Sequence, residues 1–589
     1  MRKTTLTLLL SLFAAACLIT GPATSQQTTD QASGKFDGPA ELPRVYIKTA
    51  MADTPAPGKK RLLKDADDLQ GALKQASCGD TIQLQAGATF SGKFTLPAKD
   101  CDDNRWIIVR TSAPDSALPP EGTRLTPCYA GVTSLPARPP LNCKSTQNVL
   151  AKIVTTGKGN GPLIFADGAS HYRFIGLEIT RESPGVSITH LIGPDKGAAF
   201  DHIIFDRVWI HGAAQDETAR GIQLGASQYF AVIDSTINDF HCVAVSGTCT
   251  DSQALSGGHN TKPMGPYKIV NNFLEGAGET IIFGGAPSTM TPTDIEIRRN
   301  YMFKPMIWKK DDSNFVGGTD GHPFIVKNLF ELKNAQRVLL EGNIMENTWG
   351  GFSQTGYGIL LTPKNQSPNV CPLCRVTDVT IRYNRISHVA SCFQIANALS
   401  DTGGPSSGGE RYSIHDIVCD DMDKDKYKGL GIFAQVSMAR PTLRDLKIDH
   451  VTAFPTLSLF DVGAPSDQKM ENFTFTNSIV SVGRKQISST GGKTNCALGG
   501  ADRQGPGGLI DNCFSGSKVT NNVLIDGGGW PKGNFHVGKP ENVGFVNFND
   551  GNGGDYRLSP KSKFKKAGTD GKDPGADIDA LESATAGVR

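Results

Sequence analysis

The chain has 589 residues, with 66 Gly, 34 Pro, 13 Cys and a formal charge of +2. That near-neutral balance gives no electrostatic case for nucleic acid or for an anionic membrane as a partner. Length alone would suggest several domains, but one repeat runs through most of the chain and argues for a single elongated body, because a solenoid grows without widening its core.

Arg2 and Lys3, the apolar run from Leu6 to Ile19, and Ala23-Thr24-Ser25 predict a secretory signal over residues 1–25, cleaved before Gln26. The run is short and lacks a basic stop-transfer flank, so cleavage is favoured over a retained anchor. Ala14-Ala15-Ala16-Cys17 resembles a lipoprotein box without its leading Leu, and lipidation at Cys17 is the minor alternative. The expected destination is secreted or periplasmic, with no membrane span and a monomeric chain. Residues 26–60 are polar and Pro-rich and read as a disordered leader.

From Asp67 onward the text predicts a short helix around Asp68 to Leu73 and then first strands at Thr81-Ile82-Gln83-Leu84 and Ala88-Thr89-Phe90. Residues 111–147 are Pro-rich, hold two Cys, and read as a stapled loop. Beyond them a short apolar–polar–apolar segment keeps returning. Its copies are Ile204-Phe205-Asp206-Arg207-Val208, Val232-Ile233-Asp234-Ser235-Thr236-Ile237, Ile269-Val270-Asn271-Asn272-Phe273-Leu274, Ile297-Arg298-Arg299-Asn300-Tyr301, Leu340-Glu341-Gly342-Asn343-Ile344, Ile381-Arg382-Tyr383-Asn384-Arg385-Ile386, Ile448-Asp449-His450-Val451, Phe475-Thr476-Asn477-Ser478-Ile479 and Val519-Thr520-Asn521-Asn522-Val523. Aligned on Asn272, the steps Arg207 to Ser235, Asn272 to Asn300 and His450 to Ser478 are each 28 residues, and other steps are longer. A fixed minimum with variable excess is the mark of a solenoid with inserted loops. The copies are β-branched or aromatic and bounded by Gly, Asn, Asp or Pro, which is strand chemistry, and no segment of the region sustains a helical period. About three short strands and three turns fit one such coil. Asn272, Asn300, Asn343, Asn384 and Asn522 share a register and predict an amide ladder along the stack.

This register resembles the right-handed parallel β-helix superfamily, the fold of pectin-lyase-like proteins. The fold class expected is all-β: a single-stranded right-handed parallel β-helix solenoid over residues 61–560 with a short N-terminal capping helix and long inserted loops. Asp555-Tyr556-Arg557-Leu558-Ser559-Pro560 resembles a closing strand of that family. Residues 561–589 read as a solvated C-terminal tail, with a calcium loop at Gly568 to Asp573 the less favoured reading. Removal of Cys17 with the signal leaves close sequential pairs, read as disulfides: Cys78 with Cys101, Cys128 with Cys143, Cys242 with Cys249, Cys371 with Cys374, Cys392 with Cys419, and Cys496 with Cys513. Cys392 and Cys419 are about one coil apart and could tie neighbouring rungs. Cys371-Pro-Leu-Cys374 has no second Cys or His pair at ligand spacing, so zinc is disfavoured there and no metal ligand is assigned.

Long inserts after Val243, Gly284, Lys364 and Asn397 must leave from the corners between strands and would wall a groove on one face, where members of the resembled family place an extended glycan. Alternation in Val326 to Asn334 sends Lys327, Leu329, Glu331 and Lys333 to one side. Counting coils sets Lys333-Asn334 beside Lys364-Asn365, with Asn397 on the next coil and Glu279 to Gly285 on the preceding one, where Gly284 and Gly285 would leave open floor. Two lysines so close lower each other's pKa, and a lysine so tuned can act as a base. Lys333, Lys364 and Glu331 are therefore the catalytic candidates. Lys327, Asn334, Asn365, Asn397, Glu279, Asp251 and Gln253 are the substrate-binding candidates. His259 and Glu275 lie near the first insert as well. His211, His322 and His388 read as turn or corner residues.

Glu331-Leu332-Lys333-Asn334-Ala335-Gln336 is loosely similar to the catalytic-lysine strand of the alginate and chondroitin lyase group. It departs from that group in having Asn334 where the group has Ser, and in lacking acidic calcium ligands at the usual offset. No arginine-rich pectate lyase signature and no polygalacturonase motif set is present. The resemblance implies a polysaccharide partner and β-elimination in a uronate polymer, with no cofactor assigned and Ca²⁺ optional. A non-catalytic glycan-binding or spacer protein is one alternative. A glycoside hydrolase using paired carboxylates such as Glu275 and Glu279 is the other.

Overall fold

The computed structural model describes residues 35–244, 249–351, 354–397 and 403–589. The proposed signal and residues 26–34 lie outside the described residues. Within them the chain winds as a parallel β-helix. One continuous sheet of 28 strands and a second of 12 run the length of the stack, and pairing from coil to coil is parallel throughout. The larger sheet bends at a sharp corner into two faces, here sheets 1 and 2. The 12-stranded sheet is sheet 3.

Inward-facing residues stack in columns. In sheet 1, Phe205, Val232, Ile269, Ile297, Leu340, Ile381, Ile414, Ile448 and Phe475 are successive ladder partners. In sheet 3, Ile192, Ile222, Leu255, Ile281, Phe330, Ile359, Phe393, Ala434 and Phe460 do the same. These columns merge into one continuous core. The helix Leu69–Gln75 closes its N-terminal end, with the Asp68 side chain capping the Gly71 N–H and with Leu69, Ala72 and Leu73 buried.

The corner between sheets 1 and 2 is made by one left-handed residue per coil. Arg207, Asp234, Asn271, Arg299, Tyr383, Asp416, His450, Asn477 and Asn521 all have φ between 48° and 59°. The residue after each is the ladder position. Asn272 Nδ2 donates to Val232 O and to Asn300 Oδ1, while its backbone N–H donates to the same Oδ1. Asn300 repeats this on Asn343, and Asn343 on Asn384. Asn522 does so near the far end, on Asn534. Ser235 and Ser478 continue the ladder with their hydroxyls, accepting from the Val208 and Val451 N–H groups. The sequence register is therefore off by one at two coils. Ser235 pairs with the position of Val208 and Ser478 with that of Val451, because the chain there advances 27 residues and not 28.

Three expectations about packing change. Residues 35–60 are no loose leader over their described part. Asp37 pairs with Arg382 and His415, and Ile47 packs on Trp106, Ile204 and Ala231, so the segment lies along the outer face of sheet 1. The tail is no solvated end either. It forms a helix, Ile578–Thr585, capped by Asp577, and Val588 is buried against Phe273, Tyr301, Phe303 and Ile344. Asp570 meets His450 and Asp573 meets Lys565, so these carboxylates are engaged in pairing. A helix also spans Gly500–Cys513. A kink at Gly505, followed by Pro506, explains why no helical period shows in the sequence.

All six disulfides pair as expected. Cys392 in sheet 3 and Cys419 one coil on in sheet 2 join neighbouring coils. Six disulfides fit an oxidising compartment. No described helix is long and apolar enough to cross a membrane.

Replacing Asn300 with Ala would strand two buried groups, the Asn272 N–H and the Ile269 carbonyl. At ~1–3 kcal/mol for each, Asn300→Ala is expected to lower unfolding free energy by about 2–6 kcal/mol in a denaturant titration. A midpoint equal to that of the parent chain would remove the ladder as a source of stability.

Candidate functional site

The site lies on the outer face of sheet 3. Its strands Arg220–Gln223, Gln253–Gly257, Ile281–Phe283 and Phe330–Leu332 are consecutive ladder neighbours. Arg220 pairs in register with Gln253. Counting back from the Ile281–Phe330 pair puts Glu279 beside Asn328. Among the described residues, the inserts at 241–244, 249–252 and 304–329 lie at the corner with sheet 2, and those at 284–292, 362–374 and 403–407 at the corner with sheet 1. They flank sheet 3 on both edges.

On this face the charges form two bonded groups that act on each other electrostatically. Gln253 Nε2 donates to Glu279 Oε2 at 2.7 Å. Lys327 Nζ bridges Asp251 at 2.5 Å and Glu279 at 3.2 Å. Asn328 Nδ2 donates to Glu331 Oε2 at 2.8 Å, and Lys333 Nζ meets Glu331 Oε1 at 3.0 Å. Glu279 and Glu331 are almost wholly buried, whereas Asp251 is 40% exposed at its side chain and both lysine side chains are 14% exposed. The cluster therefore reaches solvent through its cations and Asp251. Burial alone would raise the Glu279 carboxyl, but Lys327 and Lys333 overcome it and hold the group down at about 2. Burial would lower Lys333, yet Glu331 and Glu279 raise it above its ordinary value, and Glu279 and Asp251 do the same for Lys327. This reverses the expectation that neighbouring lysines depress one another: each lysine has a carboxylate closer than it has a cation.

The other expected residues divide. Lys364 follows Lys333 by one coil, its N–H donating to Lys333 O, and it is half-buried with no ion pair among the described residues. Asn334, Asn365 and Asn397 leave the substrate-binding set. All three are buried, and their amides hold the corner beside sheet 3: Asn334 on Gly258 O and Met290 O, Asn365 on Gly403 O and Pro405 O, and Asn397 on Gly409 O. The Gly284–Gly285 floor is not open, because the Lys333 side chain lies across it; a Cβ at Gly284 would stand 2.8 Å from Lys333 Cβ. Glu275 is no partner for Glu279 in hydrolysis. It projects from sheet 2 into a bidentate pair with Arg138 of the stapled loop, which also holds Asp239. His211 pairs with Glu178 and His322 with Asp320, and His388 approaches Asp421.

Three contributors are absent from the sequence reading. Arg220 carries its charge into the site from one coil before Gln253, and it is visible in sequence only once the coil step is known. Asn328 orients Glu331. Lys304 is fully buried, and its ammonium donates to the carbonyls of Gly276, Ala277 and Gly278 and to the Thr280 hydroxyl, fixing the turn that delivers Glu279. Burial pushes Lys304 down to about 7 against the pull of Glu279 and Glu275. Arg220 Nε, Gln253 Oε1, Asn328 Oδ1 and Gln366 Oε1 are buried and find no partner among the described residues. Unpaired buried polar atoms gathered on one face point to a polar ligand.

No protein-family model matches the chain, and no curated protein matches it in sequence. Solved structures do resemble it in shape. Pectate lyase Pel9A is 13% identical with a TM-score of 0.37, over 88% of this chain and 93% of that one. A mannuronic acid specific family 6 polysaccharide lyase from human gut microbiota is 11% identical with a TM-score of 0.43, over 82% and 92%. The GH87 α-1,3-glucanase of Streptomyces thermodiastaticus is 10% identical with a TM-score of 0.41, over 84% and 72%. At such identities and scores the likeness decides nothing about activity, and the architecture rests on the strand pairing above.

Glu279 sits below its ordinary value of 4.5 in the folded chain. Its stabilising contribution is therefore complete above about pH 4.5 and fades as pH falls toward 2. Lys327→Met is expected to cost about 3–5 kcal/mol at neutral pH by leaving Glu279 buried and unpaired, and to flatten this acid limb. Glu279→Gln in the same background should recover most of the loss. An unchanged acid limb in Lys327→Met would separate Glu279 from Lys327.

Proposed function

We propose that the chain acts on an extended uronate-containing polysaccharide, cleaving it by β-elimination on the outer face of sheet 3. The observation that carries this reading is the Lys333–Glu331 pair at the solvent edge of a buried charge cluster, with Lys364, which has no ion pair among the described residues, bonded through its N–H to Lys333 O one coil back. β-Elimination needs a cation on the C6 carboxylate, a base for the C5 proton and an acid for the departing O4. Lys333, kept protonated by its carboxylate neighbours, suits the first task better than that of a base. A substrate carboxylate that takes over Lys333 frees Glu331, still held by Asn328, to accept the C5 proton. The C4–C5 double bond forms as the C4–O4 bond breaks, and the Lys364 ammonium returns a proton to O4. Arg220, Gln253, Asp251 and Lys327 line the approach and contact neighbouring sugars. Beyond Leu360 on the same face Gln394, Gln435 and Asp461 form a polar row, which suits a polymer lying along the stack. Residues 1–25 remain the proposed secretion signal.

The test is ultraviolet absorbance of the unsaturated product on alginate, pectate, chondroitin and hyaluronan, with and without Ca²⁺. Lys333→Ala is expected to lower the rate about 10²–10³-fold, as removal of a charge-stabilising group does. Glu331→Gln should lower it about 10²–10⁴-fold with polymer binding retained. Reducing ends without absorbance would replace elimination with hydrolysis. Retardation of the polymer without shortening would make the protein a glycan binder.

A further inference from the structure

Arg220 is a cation that the fold leaves without a partner. It begins the strand Arg220–Gln223 of sheet 3, and a Cβ at Gly221 would stand 2.8 Å from Phe240 Cζ in the core, so alternation turns Arg220 to the outer face. Its guanidinium makes no hydrogen bond and no ion pair among the described residues. Its Nε is buried, and its terminal nitrogens keep contact with solvent. The nearby carboxylates are already engaged, because Lys327 holds both Asp251 and Glu279. They act on Arg220 only from a distance, and burial outweighs their pull. A guanidinium drawn partly out of water and given no carboxylate destabilises the fold that holds it.

The residues around it are unsatisfied in a way that fits one ligand. His190 stands opposite Arg220 one coil earlier, between the Ile188–Thr218 and Ile192–Ile222 pairs. A Cβ at Gly193 would stand 2.8 Å from His190 Nε2 and 3.0 Å from Gln223 Cβ, so the imidazole lies on the outer face beside Gln223. The His190 ring makes no hydrogen bond among the described residues, and its Nε2 is buried. Gln253, opposite Arg220 on the next coil, gives its Nε2 to Glu279 and keeps Oε1 unpaired. At the far end of the strand Gln223 bonds His259, whose other nitrogen donates to Gly257 O. Arg220 and His190 are thus left as donors and Gln253 Oε1 as an acceptor, the complement of a carboxylate beside a hydroxyl.

Three ladder steps separate the coil of Arg220 from that of Lys333, about 14 Å at the usual strand spacing and roughly three pyranose units. The two cations also stand at opposite edges of sheet 3, Arg220 beside the corner with sheet 2 and Lys333 beside the corner with sheet 1. In a two-fold ribbon of linked pyranoses successive units turn over, so units an odd number of steps apart offer their carboxylates to opposite edges. We propose that Arg220, His190 and Gln253 form a second carboxylate subsite, which takes a uronate roughly three units from the one at Lys333. The proposal rests on sheet 3 being the polymer face. It makes Arg220 a determinant of chain length, because an oligomer too short to span both cations misses one of them.

The experiment is a calorimetric titration of hexamers and dimers of mannuronate and of galacturonate into the disulfide-intact chain, with Glu331→Gln as the background where the parent cleaves the hexamer. Arg220→Met is expected to weaken hexamer binding about 10–100-fold, as loss of a hydrogen-bonded charge pair does, and to narrow the gap between hexamer and dimer. Arg220→Lys, which keeps the charge without the planar fork, should recover part of the loss. The unfolding midpoint of ligand-free Arg220→Met should equal or exceed that of the parent, because an unpaired, partly buried charge has been removed. Hexamer affinity unchanged by Arg220→Met, neither hexamer binding, or a lowered midpoint overturns the subsite. A hexamer bound through Arg220 without unsaturated product overturns β-elimination and leaves the subsite standing. Cleavage with binding independent of Arg220 does the reverse.

Discussion

The bend between sheets 1 and 2 takes place inside the wall of the solenoid, where a backbone N–H or C=O without a partner would cost ~1–3 kcal/mol. One residue per coil takes left-handed backbone there, and the next places an amide or hydroxyl where the following coil needs it. An Asn is apt because it donates and accepts at once: its Oδ1 takes two N–H groups from the coil before, while its Nδ2 reaches a carbonyl of that same coil and the next Asn. The coil step and the registry of all three sheets follow from this corner. Where the chain substitutes Val208, Ile417 or Val451 at the position, the corner persists and the side chain joins the core instead.

Corner registry decides what sheet 3 can present. Because Ile281 stacks on Phe330 and Ile282 on Glu331, an outward carboxylate on one coil meets a cation one coil or two residues away. Arg220, Lys327 and Lys333 face Asp251, Glu279 and Glu331, three cations against three anions. The set is neutral, which makes its burial tolerable; an isolated charge at the depth of Glu279 would not stay ionised. Neutrality also means that an anionic ligand must displace an internal carboxylate. Lys333 and Glu331 stand where that exchange is easiest, since the Lys333 side chain retains some exposure and Asn328 keeps hold of Glu331 after the swap.

The repeat, the amide ladder and the disulfide pairs were legible because they depend on local spacing. Alternation placed Glu331 and Lys333 together but failed upstream of the strand Phe330–Leu332, where Leu329 joins the core and Asn328 joins the charged face. The one-residue slip at Ser235 and Ser478 was not legible, because the ladder positions one coil before them are the apolar Val208 and Val451, which carry no amide to mark the register. Asn334, Asn365 and Asn397 looked like groove residues because Asn beside Lys reads as polar surface. Only the packed corner shows their amides buried on backbone carbonyls. The leader and tail were misread for the same reason in reverse. Their polar composition describes the side that faces solvent, whereas their anchoring comes from a few long-range contacts such as Asp37 with His415 and Val588 with Phe273.

Those two segments, together with the stapled loop, cover parts of sheets 1 and 2. Residues 35–60 cover the outer face of sheet 1, filling over Ile204 and Ala231. The stapled loop covers the first coils of sheet 2 through Leu118 and Leu125 on Ile175 and Trp209, and locks there through Arg138. The tail covers its later coils through Ile578 and Leu581 on the cluster of Val418, Ile479 and Val523. The outer face of sheet 2 is thus apolar where these segments pack, whereas that of sheet 1 carries charge ladders such as Arg298–Glu341–Arg382, and the chain's own segments cover part of each. On sheet 3 the outer row runs Gln223, Ser256, Ile282, Glu331, Leu360, Gln394, Gln435 and Asp461, six polar positions interrupted by two buried apolar ones, with inserts rising at both edges and no strap laid along it among the described residues. The proposed polymer would therefore lie along sheet 3 between those inserts, with Glu331 and Lys333 in its track.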